Sequence, residues 1–176
     1  MKNTKTKGYK RVRDPVLKAT LKLSIKIVGI IIVVVSIFTF VFGLHRVNDL
    51  SMLPNINPQD TILYYRLDHE YLVGETVVYN YKGDIRIGRI VATAGDEVNI
   101  DENGLKVNGA NQLEPKIFNK TLPFVEGIKF PVKLKENEVF ILADARGTHL
   151  DSRGFGALNI DQIQGKIFML FRRSGI

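Results

Sequence analysis

Cysteine and tryptophan are both absent from the 176 residues, and there are only three histidines. Without cysteine there is no disulfide framework and no thiolate zinc site, so packing and hydrogen bonds alone must hold the fold. No cluster of His, Asp and Glu has metal-ligand spacing, and no cofactor is expected. Acidic residues are nearly missing from one end. Residues 1–26 hold nine Lys or Arg against the single Asp14, while the rest of the chain is close to neutral. The net charge of +7 is therefore a property of the N-terminus. A basic chain invites a nucleic-acid reading. Here the charge stands beside a long apolar run, so anionic lipid headgroups explain it better, and no nucleic-acid partner is expected.

That run is Ile27–Leu44, IVGIIIVVVSIFTFVFGL, without a charged residue. Extended back to Leu21 it takes in Lys22 and Lys26, whose stems can snorkel to the interface. A single helix needs about 20 apolar residues to cross the hydrocarbon core. The lysine-rich side stays in the cytoplasm by the positive-inside rule, so the chain after Leu44 is expected outside. No small-x-small cleavage site follows (Phe42-Gly43-Leu44-His45-Arg46 come next), which favours an uncleaved anchor over a signal peptide. The expected organisation is a basic cytoplasmic tail over 1–20, a transmembrane anchor over 21–44, and an extracytoplasmic domain over 45–176. The expected location is the cell membrane, crossed once, with the bilayer as first partner.

Residues 45–176 read as mainly β. Candidate strands are Thr61–Tyr65, Glu75–Asn80, Ile85–Ala92, Glu97–Ile100, Leu105–Val107, Val139–Leu142 and Gly165–Phe171. They are short, rich in β-branched and aromatic residues, and bounded by Gly, Asn, Asp or Pro. Asp101-Glu102-Asn103-Gly104 predicts a hairpin turn, with Asn-Gly supplying positive φ, and Asn108-Gly109 a second turn. Residues 110–135 read as an irregular extension. No helix of convincing length is predicted after Leu44.

Chemistry points to Ser51, in Asn48-Asp49-Leu50-Ser51-Met52-Leu53-Pro54-Asn55, just past the anchor. A serine is a weak nucleophile without a base in hydrogen-bond reach. His45 stands at the membrane exit and His69 in the polar loop Asp68-His69-Glu70. His149 lies in Ala143-Asp144-Ala145-Arg146-Gly147-Thr148-His149-Leu150-Asp151-Ser152-Arg153, a polar stretch after an apolar strand, which suits either a site-forming loop or a structural loop pinned by Asp–Arg pairs. A Ser–Lys pair needs a desolvated lysine. The lysines of the domain lie in turns or loops, apart from Lys166 at the start of a late strand. Met52 is expected at a cleft rim or dipping toward the bilayer, with Leu50, Leu53 and Ile56 continuing an apolar lip.

Four ordered motifs resemble those of bacterial type I signal peptidases, the membrane-anchored Ser–Lys proteases that remove signal peptides. Ser51-Met52-Leu53-Pro54 resembles the nucleophile motif Ser-Met-x-Pro. Gly74-Glu75-Thr76-Val77-Val78-Tyr79 resembles Gly-Asp-Ile-Val-Val-Phe. Gly88-Arg89-Ile90-Val91-Ala92-Thr93-Ala94-Gly95-Asp96 resembles Lys-Arg-Val-Ile-Gly-Leu-Pro-Gly-Asp. Ala143-Asp144-Ala145-Arg146 through Asp151-Ser152-Arg153 resembles Gly-Asp-Asn-Arg-x-x-Ser-x-Asp-Ser-Arg. The resemblance implies a signal-peptidase-type β domain, with Asp144, Asp151, Ser152 and Arg153 bracing the site. It also implies that the general-base lysine has become Gly88. Arg86 shares Gly88's face on a strand. It cannot replace the lysine, because guanidinium stays protonated. Asp49 stands two residues before the nucleophile, where some members place an oxyanion-hole serine; a carboxylate there repels a developing oxyanion. Asn has become Ala145, and Ser has become His149.

Two functions fit. In the first, the chain has lost proteolysis and binds extended peptides. It then resembles an accessory branch of the family in Gram-positive bacteria that assists pilus assembly, with pilin-type or signal-peptide-bearing proteins and the sortase and pilus machinery as partners. In the second it is an active signal peptidase, with Ser51 as nucleophile and His149 as substitute base, oriented by Asp144 or Asp151. A purely structural anchor is a third class, which explains Ser51 poorly.

Overall fold

The computed structural model describes residues 15–115, 117–147 and 149–172. Most of the expected tail, 1–20, lies outside the described residues. The chain falls into two compact units, Met1–Ile37 and Phe38–Ile176. The described residues of the first lie in helix α1, Pro15–Phe40, whose 26 residues reach about 39 Å at 1.5 Å each. Proline at its first position has no amide to leave unpaired. None of its side chains is buried, and it is long and apolar enough to cross a membrane.

The run expected to stay helical to Leu44 changes structure earlier. Phe42–Arg46 form strand β1, paired with β2 (Thr61–Tyr65). Gly43 permits this, because a Cβ there would lie 2.1 Å from the Tyr64 ring. Hydropathy alone cannot see that requirement, since Phe42, Gly43 and Leu44 suit either a membrane or a half-buried strand.

The other elements follow in order: β3 (Thr76–Tyr81), β4 (Asp84–Ala92), β5 (Glu97–Asp101), β6 (Gly104–Val107), β7 (Ala110–Asn111), β8 (Val132–Lys133), β9 (Glu138–Leu142), the single-turn α2 (Ser152–Phe155), β10 (Leu158–Asn159) and β11 (Ile163–Phe171). The fold is mainly β, as expected, and each of the seven predicted strands has its counterpart. The four that were not predicted are β1 and the two-residue strands β7, β8 and β10, too short to carry a period.

Seven strands form one antiparallel sheet in the order β1-β2-β11-β3-β4-β9-β10, and four form a second in the order β7-β6-β5-β8. Hairpin turns carry paired positive φ at Lys82-Gly83 (54° and 95°) and Asn108-Gly109 (52° and 79°), the geometry that matches strand twist. At the turn after Asp101 only Gly104 takes a positive φ.

Alternation along β4 divides the core. Ile90 packs with Val77, Tyr79 and Ile141 on one side, and Ile87 packs with Val78, Ile62 and Met52 on the other. Met52 is therefore a core residue, fully buried, and not a rim or bilayer contact. Ile56 is buried with it, which leaves Leu50, about half exposed, and the partly buried Leu53 of the expected lip. Met52 anchors the segment that presents Ser51.

Candidate functional site

The Ser51 segment is a loop between β1 and β2, tied down at both ends. Val47 donates its N–H to Asp60 O, and the Ser51 carbonyl accepts the Ala145 N–H at 2.8 Å, so the 143–153 loop is fastened directly beside the serine. Asn55 donates to Asp144 Oδ2 at 2.7 Å. Asp144, almost fully buried, also receives Arg89 Nε at 2.9 Å and Nη2 at 2.6 Å, a two-pronged charge-assisted pair. Arg89 gives its remaining Nη1 to Gly74 O. Asp144 thus joins the Ser51 loop, β4 and the end of β9 through one carboxylate.

Asp151, Ser152 and Arg153 lie behind that junction, each no more than 1% exposed. Asp151 caps α2 by accepting the Arg153 N–H, accepts the Ala143 N–H at 3.0 Å, and pairs with the Arg153 guanidinium at 2.8 Å. Arg153 reaches the carbonyls of Leu122 and Arg146 and lies over the Phe124 ring, 4.1 Å from its centre. Ser152 Oγ accepts the buried Ile141 N–H at 3.0 Å. Asp151 and Ser152 satisfy backbone donors and Arg153 backbone acceptors, which holds β9 against the loop.

The positions expected to react, Ser51 and 88, are arranged differently. Ser51 Oγ donates to Asp49 Oδ1 at 2.6 Å, and the same oxygen accepts the Ser51 N–H at 3.0 Å. This is an Asx-type turn across two residues. It occupies the serine hydroxyl and its own amide together. Carboxylates are far weaker bases than imidazole or a neutral amine, so the contact favours the hydroxyl as donor and leaves it unactivated.

Gly88 is buried in β4 opposite Val77. A Cβ built there would meet Ile141 Cγ2 at 2.4 Å, Leu142 O at 3.3 Å and Tyr79 Cε1 at 3.3 Å. Ile141 and Tyr79 have closed the space into which a side chain at position 88 would grow. The Tyr79 phenol is held well above its ordinary value, first by burial and then by Asp151 and Asp49, with Arg86 opposing, so it remains protonated. Arg86 pairs with Tyr79 across the hairpin; its Nε is buried without a partner and its Nη2 reaches Asp84 at 3.5 Å.

Among the described residues, His149 forms no hydrogen bond or ion pair with Ser51, Asp144 or Asp151, although it is half-buried in the loop fastened to Ser51. His45 is half-buried in β1, and His69 is exposed. Lys166 stands within β11, not at its start, and bonds Asp68 at 2.8 Å and Glu75 at 3.2 Å. Burial works against its charge, but those two carboxylates outweigh it and raise its pKa, so it stays an ammonium. No group of three metal-ligating side chains occurs among the described residues. Sequence reasoning missed Ile141 and Tyr79. Their signal was available only as two strand residues flanking a glycine, and pairing them needs the sheet register.

The profile of the signal peptidase family, peptidase S26, matches residues 20–172. Signal peptidase I of Bacillus amyloliquefaciens is 27% identical over 97% of this chain and 95% of its own length. Signal peptidase I S of Bacillus subtilis is 27% identical over 88% and 90%. A crystal structure of a signal peptidase I from Enterococcus faecalis superposes with a TM-score of 0.48 at 18% identity, covering 56% of this chain and 97% of that one. The family profile spans all eleven strands described above and α1 from Thr20 on, together with the Ser51 motif and the Arg89–Asp144 and Asp151–Arg153 pairs, and the chain belongs to the signal peptidase family.

Proposed function

We propose that this chain is a membrane-anchored signal-peptidase-type protein that binds extended peptides without cleaving them efficiently, and that it serves surface-protein or pilus assembly. The observation that carries this reading is the state of Ser51: Asp49 Oδ1 takes both its hydroxyl and its amide, while position 88 offers no base. A tetrahedral intermediate needs a proton acceptor for the hydroxyl and donors for the oxyanion. Here one carboxylate oxygen uses both groups. Loss of general-base assistance alone slows such chemistry by about 10²–10⁴-fold. Antiparallel strands with open edges can still accept an extended segment by strand addition. The tail is cytoplasmic, and the β domain lies outside the membrane on this reading. Signal-peptide-bearing or pilin-type chains are the ligands, with sortase and pilus components as further partners.

A second reading keeps the enzyme. Its supporting observation is the 2.8 Å bond from Ala145 N–H to Ser51 O, which brings the loop bearing His149 alongside the serine. Release of Asp49 and a turn of His149 would complete a Ser–His pair.

The test uses the full chain in lipid with a membrane-anchored peptide carrying an Ala-x-Ala site. Wild type, Ser51→Ala and His149→Ala are followed by mass spectrometry over hours. The accessory reading expects no cleavage from any of them, and pilus or surface-protein assembly unchanged in cells carrying Ser51→Ala. Cleavage by wild type that disappears in both variants overturns it in favour of the Ser–His enzyme.

A further inference from the structure

β3 pairs with β4 from Asp84 to Arg89, but β9 covers the other side of β4 only from Arg89 to Ala92. Past Leu142 the chain leaves the sheet. Ala143 N–H goes to Asp151, the Asp144 carboxylate to Arg89, and Ala145 N–H to Ser51 O. The two-residue turn at Lys82-Gly83 makes Tyr81 and Asp84 the closing hydrogen-bonded pair, so Asp84, Arg86 and Gly88 bond to β3. Ile85 and Ile87 turn their N–H and C=O the other way. Among the described residues neither finds a partner there. The first half of β4 is thus an open edge, which an extended segment can join.

Side chains alternate across a strand, so Arg86 and Gly88 project on one face and Ile85 and Ile87 on the other. In an added segment, the residue beside Arg86 and the residue beside Gly88 are two positions apart on that same face. Beside Gly88 the face is closed by Ile141 and Tyr79. Beside Arg86 it carries an available cation. The Arg86 side chain is 31% exposed. Its Nε is enclosed, whereas Nη1 reaches the surface without a partner among the described residues. Asp84, 74% exposed, lies 3.5 Å from Nη2, and no hydrogen bond joins the two. An exposed pair of that kind holds weakly. Asp49, whose charge also reaches the Tyr79 hydroxyl, is engaged by Ser51. Arg89 and Arg153 differ: each is bound through two nitrogens to a buried carboxylate. Opposite charges facing each other across neighbouring strands attract.

We propose that Arg86 gives this edge a preference for acidic peptides. An extended segment added along residues 85–87 places an Asp or Glu side chain on the outer guanidinium nitrogens, two residues from the position beside Gly88. The inference rests on the peptide-binding reading above and adds the charge of the ligand to it. At the strand where the family's lysine would supply a base, this chain keeps a positive charge that selects and does not react.

The test measures binding of fluorescein-labelled peptides to the full chain in nanodiscs of zwitterionic lipid, by anisotropy. The peptides are identical apart from one motif: Ala-x-Ala, Glu-x-Ala, Gln-x-Ala, Ala-x-Glu or Ala-x-Gln. One acidic peptide, Glu-x-Ala or Ala-x-Glu according to the direction in which the segment runs, should bind about two- to fivefold more tightly than its glutamine counterpart, as an exposed opposite-charge pair allows. The difference should vanish in Arg86→Gln and persist in Arg86→Lys, which keeps the charge. Equal binding of acidic and glutamine peptides by wild type overturns the inference and leaves the peptide-binding reading standing. An equal gain for both acidic peptides is general attraction to charge and overturns the placement. A preference that survives in Arg86→Gln overturns the assignment to Arg86, and no binding of any peptide overturns both readings.

Discussion

Ile141 and Tyr79, packed against Gly88, decide what position 88 can do. The lysine that the family uses cannot simply be returned, because Ile141 Cγ2 would lie 2.4 Å from its Cβ. Gly88→Lys alone should leave peptide cleavage undetectable and lower stability by about 1–3 kcal/mol, the usual range for overpacking. Adding Ile141→Ala makes room, and adding Asp49→Ser frees the Ser51 amide and hydroxyl. The triple variant should cleave an Ala-x-Ala peptide about 10²–10⁴-fold faster than wild type; activity equal to wild type would mean that another missing group limits the site. A second prediction concerns the brace. Ser152→Ala leaves the buried Ile141 N–H without an acceptor and should cost about 1–3 kcal/mol, and Asp151→Ala, which strands a buried guanidinium, about 3–5 kcal/mol. Denaturant unfolding of the two variants checks the order.

Among the elements, β11 is the one on which the large sheet depends, since it pairs with β2 on one side and β3 on the other. It can do so only with a glycine at its bend. A Cβ at Gly165 would lie 2.2 Å from the Tyr65 carbonyl oxygen, and a backbone atom in a paired strand has nowhere to move. Gly165→Ala should therefore separate β11 from β2 locally. The expected loss is about 3 kcal/mol, at the upper end for overpacking, with faster amide exchange in Leu63–Tyr65. Retention of wild-type exchange in β2 would show that the bend relaxes elsewhere. The seven expected strands were legible because each holds several β-branched or aromatic residues between turn formers. The two-residue strands were not, because pairing geometry, and not composition, makes them strands.

For the whole molecule, pH dependence follows from groups spread over the β domain. Asp68 is lowered from its ordinary 3.8 by its bond with Lys166, and Asp101 by its bond with Lys106. Asp96 is lowered because bonds from Thr93 and Asn108 outweigh its burial. Folded values below the unfolded ones mean stabilisation that is complete above that ordinary value and lost as pH falls through the folded values. Lys166 and Tyr79 are raised, so their contribution is complete below about 10 and lost as pH rises beyond it. Stability should be flat from about pH 5 to about pH 10 and fall on both sides. Because tryptophan is absent, tyrosine fluorescence or circular dichroism is the suitable measurement. A maximum confined to mildly acid pH would contradict these assignments.

The order of residues by itself determined the long apolar run, the β class, the turn positions and the four motifs. It also showed that Gly88 has no side chain to offer. Those features are local: hydropathy, period and residue type act within a few positions of one another. Tertiary structure decided the rest. It placed Met52 in the core, turned Phe42–Leu44 into a strand, and set Ile141 and Tyr79 in the space beside Gly88. It also left the edge of β4 beside Arg86 open among the described residues. Each of these depends on contacts between strands distant in sequence, where the register and the shape of the opposing side chain fix what a residue touches.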